Sequence, residues 1–239
     1  MTTFRHSGKM GDLIYSLPLI RHLGGGHLKI NPGIIDDGSP RLTDSAFQSL
    51  LPLLEIQSYI KSVTLYEGGQ IDVDLDKFRE AIPWSHANLV DANYIAHDLA
   101  PDPKNHIDPW IEIPGVKLRT RKPVVVSRTE RYLGGQGDDN LFYHQMVRQG
   151  LGDHGIFIGF PHEHARFEEL FSVKIEHIQP DNSLEIAMIL GGSELWIGNE
   201  NYIGALAEGL KKTCAREIRK TEAAEKMYCA FQRPNLFYV

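Results

Sequence analysis

The chain has 239 residues, of which 42% are hydrophobic and 23% charged, a composition that excludes a disordered chain, because disorder comes with too little apolar surface to build a core. A formal net charge of -6 gives no overall attraction to nucleic acid or to an anionic membrane, and no apolar run reaches the roughly 18 residues needed to span a bilayer. Met1 to Arg5 lacks the apolar stretch of a secretory leader, and Cys214 and Cys229 form no CxxC pair, so a reducing, cytoplasmic setting is expected.

In chain order, Thr3 to His6 predicts a short strand, followed by the loop Ser7-Gly8-Lys9-Met10-Gly11. A helix begins at Asp12, with Leu13, Ile14, Leu17 and Ile20 on one apolar face and Pro18 as an interruption that periodicity does not explain. Gly24-Gly25-Gly26 stops it, and His27 to Ile30 predicts the next strand. Asp44 is the expected cap of a helix over Ser45 to Leu54. Val63 to Tyr66 reads as a strand, and Ile71 to Leu75 alternates like a half-exposed one. The proline-rich stretch from Pro101 to Pro114 reads as loop.

A second series opens with the β-branched run Pro123 to Ser127, expected as a buried parallel strand. Helices are predicted over Leu141 to Gln149, His162 to Phe171, Ser183 to Leu190 (capped by Asp181 or Asn182) and Ile203 to Leu210, with strands at Gly155 to Gly159 and Glu194 to Gly198. Strands alternating with helices predict parallel β-α-β units, and the restart near Pro123 predicts two such units in tandem. Glu217 to Val239 is expected as a charged helix with an aromatic tail, lying either back across the first lobe or on its own.

Two loops have the chemistry to hold an anionic ligand. In Ser7-Gly8-Lys9-Met10-Gly11-Asp12, the glycines allow close backbone approach and the following helix directs its first amides at the ligand. It is not a nucleoside-triphosphate P-loop, because Met10 stands where the magnesium-binding hydroxyl belongs. Asp12 reads either as a helix-stabilising acid or as a general base at the mouth of a cleft. The second loop lies between Trp196 and Leu210, where a buried strand ends at Gly198, a polar turn follows, and a helix of small residues begins near Tyr202. Its open amides suit a diphosphate, and Glu208 reads either as an acceptor for ribose hydroxyls or as a solvated helix residue.

Together the two loops resemble the lipopolysaccharide heptosyltransferases of glycosyltransferase family nine, which have the GT-B fold. The first carrier is Gly11-Asp12-Leu13-Ile14-Tyr15-Ser16-Leu17-Pro18-Leu19-Ile20-Arg21-His22-Leu23, whose pattern includes the proline. The others are Ser183-Leu184-Glu185-Ile186-Ala187-Met188-Ile189-Leu190 and Leu206-Ala207-Glu208-Gly209-Leu210. The likeness covers roughly residues 1–23 and 155–210. It implies an α/β, GT-B-like fold of two Rossmann-like lobes with parallel sheets: an acceptor lobe over 1–122, a nucleotide-sugar lobe over 123–210, and a helical segment over 211–239 crossing back on the first lobe.

The resemblance also implies glycosyl transfer with inversion from a nucleotide-sugar substrate to an unknown acceptor, with no metal and no further cofactor. On that reading Asp12 is the base and Lys9 neutralises the leaving diphosphate. Gly8, Gly11, Arg128, Gly198, Asn199, Glu200, Asn201, Tyr202, Gly204 and Glu208 surround the donor, with Arg128 pointing into the cleft. The chain departs from the family where Asp-[Ser/Thr]-Gly-x-x-His is usual. Here Glu200-Asn201-Tyr202-Ile203-Gly204-Ala205 stands, with Ala205 at the histidine position. Two alternatives follow: a non-catalytic nucleotide-sugar binding module, or a sugar-nucleotide epimerase or hydrolase on the same fold.

Other chemistry is weaker. His162-x-His164 is the one close histidine pair, and two residues apart on a helix do not share a face. Asp72, Asp74 and Asp76 form a D-x-D-x-D run, read as the solvent side of an edge strand rather than a cation site. Lys211, Lys212, Arg216, Arg219 and Lys220 read as a solvated helix face, and as the contact for a nucleic acid should the acceptor be one.

Overall fold

The apolar runs pair in parallel throughout the computed structural model, which describes residues 1–7, 9–32, 42–81, 88–116, 122–130, 140–217 and 233–239. Strands β1 (Thr2–His6), β2 (Gly26–Ile30), β3 (Ile60–Leu65) and β4 (Val73–Asp74) form one sheet in the order β3-β2-β1-β4. Strands β5 (Val124–Ser127), β6 (Gly155–Ile158), β7 (Glu176–Ile178), β8 (Leu195–Asn199), β9 (Thr213–Glu217) and β10 (Leu236–Tyr238) form a second, in the order β10-β9-β8-β5-β6-β7. The helices of the first half are α1 (Met10–His22), α2 (Asp44–Glu55), α3 (Phe78–Ala81) and α4 (Leu89–Ile95). Those of the second half are α5 (Leu141–Arg148), α6 (Leu151–His154), α7 (Pro161–Phe171), α8 (Ser183–Gly192) and α9 (Tyr202–Gly209).

Helix α1 is apolar all round, with every residue from Leu13 to Ile20 buried. Such a helix has to be covered on all sides, and α1 packs on both α4 and α9, while α2 packs on α8. One hydrophobic cluster therefore runs from Phe4 and Leu28 in the first sheet, through α1, to Val125, Ile156 and Trp196 in the second. A smaller cluster of Tyr143, Phe157, Phe167 and Phe171 fills the far side of the second sheet. Pro18 costs α1 a backbone hydrogen bond, and the helix is fastened at that level by the Tyr94 hydroxyl, which donates to the Pro18 carbonyl at 3.1 Å. The helix ends through Gly24, whose φ of +85° is the left-handed conformation that a C-terminal cap requires.

Several expectations change. The cap of α2 is Thr43, whose hydroxyl accepts from the Ala46 amide at 3.2 Å; Asp44 is the first helical residue. The predicted strand at Ile71 to Leu75 shortens to β4 and runs into a 3-10 turn at Leu75–Lys77. Its aspartates brace β4 against β1: Asp72 accepts from the Thr3 amide at 2.8 Å and Asp74 from Arg5 at 2.6 Å, while Asp76 binds Ser7. The basic helix face is corrected to β9, with Arg216 fully buried; Arg219 and Lys220 lie outside the described residues. The terminal helix is likewise corrected where it is described. Glu217 ends β9, and Leu236–Tyr238 is a strand at the edge of the second sheet. No helix among the described residues is long and apolar enough to cross a membrane.

Candidate functional site

Each sheet reverses its winding once. The first runs outward from β1 through β2 to β3, then places β4 on the other side of β1; the second runs from β5 through β6 to β7, then from β8 through β9 to β10. In open parallel sheets, ligands bind beyond the carboxyl ends of the strands at such a reversal. The reversal between β1 and β4 is flanked by Ser7, Lys9 and Asp12 on one side and Asp76 and Arg79 on the other. The reversal between β5 and β8 is flanked by Arg128, Thr129 and Glu130 and by Asn199, Glu200 and Asn201. The helices that leave the two crevices touch at their first turns. A Cβ built on Gly11 would lie 3.9 Å from both the Ala205 Cβ and the Tyr202 Cα.

On the first side, Lys9 is the exposed N-cap residue of α1 and Asp12 lies in its first turn. Gly8 lies outside the described residues. Asp12 accepts from Arg79 at 2.6 Å, and the other arm of Arg79 binds Asp76. Asp76 also receives the Ser7 amide at 3.2 Å and the Ser7 hydroxyl, so the turn after β1 and the turn after β4 are tied together. Burial alone would raise the Asp76 carboxyl, but neighbouring His6 and the Ser7 and Arg79 donors outweigh it and hold it below the ordinary carboxylate range. His6 is fully buried, and that burial lowers it to about 4 despite the attraction of Asp76 and Asp12.

On the second side, the polar residues are spent largely on the loops themselves. The Asn199 side chain accepts from the Thr129 amide at 3.0 Å and donates to the Thr129 carbonyl at 2.6 Å, clamping the loop after β8 to the loop after β5. Asn201 is the N-cap of α9, accepting from the Gly204 amide at 2.9 Å. Glu200 is held by Arg216 at 2.8 Å. Tyr202, half-buried, has its phenol pushed up by burial and directed at Ser183 of α8.

Two glycines expected to cradle phosphate also have packing roles. A Cβ on Gly198 would come within 2.0 Å of the Ser127 carbonyl oxygen on the paired strand and 2.6 Å of the Trp196 ring, and one on Gly204 within 2.8 Å of that ring. Both make room for a buried indole whose N–H donates to the Ser127 hydroxyl at 2.9 Å. Arg128 is corrected from a free cleft cation to half of a buried ion pair, donating to Glu217 at 2.7 and 2.9 Å. It lies 5.2 Å from the Tyr143 ring and lines a small cavity with Thr129, Glu130, Glu163 and Phe167. Glu208 is corrected from a ribose acceptor to a fully buried anchor in the last turn of α9, bound to Lys211 at 2.6 Å and to Arg233 at 3.2 Å.

Sequence reasoning missed Arg79, Thr129 and Glu217, and read Asp76 and Arg216 as parts of solvated faces. The spacing of Asp76 and Arg79, three residues apart in a turn that becomes helical, was a usable signal for an ion pair. The histidine pair holds no metal geometry: His164 stacks on His177 at 4.5 Å, while His162 stacks on Phe160. Among the described residues no group of three or more His, Cys, Asp or Glu could hold a metal ion.

No protein-family model and no curated protein matches the sequence. Solved structures do match its coordinates. A family 9 glycosyltransferase from Veillonella parvula aligns with TM-score 0.62 and 10% identity over 100% of this chain and 85% of its own. The E. coli heptosyltransferase WaaC with ADP aligns with TM-score 0.63 and 11% identity, over 100% and 92%. E. coli ADP-heptose lipopolysaccharide heptosyltransferase II gives TM-score 0.63 and 11% identity, over 100% and 90%. What the chain shares with these proteins is the fold: α/β, two parallel sheets, in the GT-B arrangement.

Proposed function

We propose that the protein is a glycosyltransferase that moves a sugar from a nucleotide-sugar donor to the hydroxyl of an acceptor. The single observation that carries this reading is the opposition of two winding reversals, one per sheet, across the contact between Gly11 and Ala205. An acceptor at the β1/β4 crevice and a donor at the β5/β8 crevice then meet between them. The structural likeness to enzymes whose names include heptosyl transfer, one of them with ADP bound, supports the same assignment.

In the proposed step, the free oxygen of Asp12 takes the proton of the acceptor hydroxyl. The hydroxyl oxygen attacks the anomeric carbon from the face opposite the diphosphate, and the carbon–oxygen bond to the diphosphate breaks with its electron pair leaving on phosphate. The configuration inverts. Lys9, exposed at the α1 N-cap, supplies positive charge for the leaving group, so the reading invokes no metal and no cofactor beyond the nucleotide sugar. The lobes 1–122 and 123–210 are the proposed acceptor and donor units.

A second reading, a nucleotide-sugar binding module without turnover, is favoured by Ala205, which is fully buried against α1 where the resembling family carries a histidine. Calorimetry with ADP, UDP, GDP and CDP tests the donor site, and failure of the folded protein to bind any of them rejects both readings. Mass-spectrometric detection of sugar release or transfer from a nucleotide-sugar panel then separates enzyme from binding module.

A further inference from the structure

We infer that Arg216 is a positioning residue that sets how Glu200 meets the sugar of a nucleotide sugar; the inference rests on the glycosyl-transfer reading above. Arg216 lies in β9 next to the buried Cys214 and Ala215, and its guanidinium lies 5.2 Å from the centre of the Trp196 ring. One arm, Nη1, donates to Glu200 Oε2 at 2.8 Å; the other, Nη2, donates to the Gly204 carbonyl at 3.1 Å. A single planar fork therefore ties the loop ahead of α9 to the first turn of that helix. A lysine ammonium is a point charge without this fixed two-armed geometry.

The exposure of the pair is asymmetric. The Glu200 side chain is 18% exposed and that of Arg216 is 0% exposed, so the glutamate and not the arginine is the member of the pair that reaches the surface. The second carboxylate oxygen, Oε1, is buried and has no hydrogen-bond partner among the described residues. A buried acceptor left unmet is costly, and it calls for a donor. A sugar hydroxyl is such a donor. A diphosphate group is not, because it offers only acceptor oxygens and carries the same sign of charge as Glu200; the ribose hydroxyls of the nucleotide are donors too, and a contact to them instead of to the transferred sugar shows in the test below as lost diphosphate affinity. Beside this loop Gly11 of α1 faces Tyr202 without a side chain, and Tyr15 of α1 lies within electrostatic reach of Arg216. Arg216 thus holds one oxygen of Glu200 so that the other serves the sugar, and its contribution is to sugar affinity rather than nucleotide affinity.

The test is calorimetry on the full chain with two probe pairs, ADP with ADP-glucose and UDP with UDP-glucose. The wild type is expected to bind at least one nucleotide sugar about tenfold more tightly than its diphosphate, the worth of one hydrogen bond to a charged group. R216K and E200Q each abolish that margin and leave diphosphate affinity within about twofold. Should R216K fail to fold, as judged by circular dichroism, E200D carries the same test, since it withdraws the carboxylate from the fork while keeping its charge. A margin that survives in R216K (or E200D) overturns the inference, as does a diphosphate affinity that falls together with the sugar margin, which places the Glu200 contact at the ribose or marks Arg216 as a structural prop. Failure of the folded wild type to bind either pair rejects the glycosyl-transfer reading itself and takes this inference with it.

Discussion

Arg79 Nη2 donates to Asp12 Oδ2 at 2.6 Å, and this pair joins the turn after β4 to the helix that follows β1. It occupies one carboxylate oxygen of Asp12 and leaves the other for an incoming hydroxyl. The two side chains are 23% and 30% exposed, so solvent screens the pair and its loss costs about 1 kcal/mol or less. Asp12→Asn should therefore fold normally, with turnover lowered about 10²- to 10⁴-fold and nucleoside-diphosphate affinity unchanged. Product formation and calorimetry read the two quantities separately. Turnover at the wild-type level in this variant would reduce Asp12 to a helix-stabilising acid.

The glycines of the second loop can be tested as packing devices. An added methyl at Gly204 would come within 2.8 Å of the buried Trp196 ring, an overpacking expected to cost about 1–3 kcal/mol. Gly204→Ala should lower the thermal midpoint and leave diphosphate affinity nearly unchanged. In a Trp196→Phe background the same substitution should cost less, because the smaller ring vacates the clash. A double-mutant cycle by urea denaturation measures that coupling. Equal costs in both backgrounds, with lost nucleotide binding, would restore the phosphate-cradle reading for Gly204.

The parts of the fold that were legible in the sequence are those where one element carries its own signal. Val124 to Ser127, Gly155 to Ile158 and the β-α-β alternation announced parallel sheets, and the Gly-Asp turn announced where α1 begins. What was illegible depends on partners far away in the chain. Arg216 sits among charged neighbours that suggest a solvated helix, yet inside the sheet Glu200 neutralises it and the Gly204 carbonyl accepts from its second arm. Arg128 and Glu217 are 89 residues apart, and no local pattern marks them as a pair. Glycine was misleading for the same reason: Gly204 is small because of Trp196, and Gly198 because of Trp196 and the Ser127 carbonyl of the next strand, neighbours that only the fold reveals.

The Arg128–Glu217 pair carries its own stability prediction. Both side chains are nearly or fully buried, at 4% and 0% exposure. Removing one partner strands a charge, so Arg128→Met or Glu217→Leu should each cost about 3–5 kcal/mol. Replacing both with apolar residues of similar volume, Arg128→Met with Glu217→Leu, should cost much less than the two single changes added together. Denaturant midpoints of the four proteins supply the cycle. Simple additivity would show that the two charges are not stabilising each other.

His6 predicts how stability responds to acid. Its imidazole is buried below Asp12 and Asp76, with Asp74 and the opposing Arg79 also within electrostatic reach, and burial lowers it from 6.5 to about 4. Between those two values the unfolded chain binds a proton that the folded chain refuses, so stability rises with pH across that window and is complete above 6.5. Acidification through the window should remove about 3 kcal/mol, the free-energy equivalent of that difference. Asp76, held below the ordinary carboxylate range, shifts stability in the same direction but in the more acidic range below the ordinary aspartate value of 3.8, so the two contributions separate. Urea midpoints measured from pH 7.5 down to pH 4.5 should fall in the wild type, with the slope reduced in His6→Gln and His97, also lowered by burial, supplying part of what remains. An unchanged slope in that variant would mean that another group, and not His6, takes up the proton on unfolding.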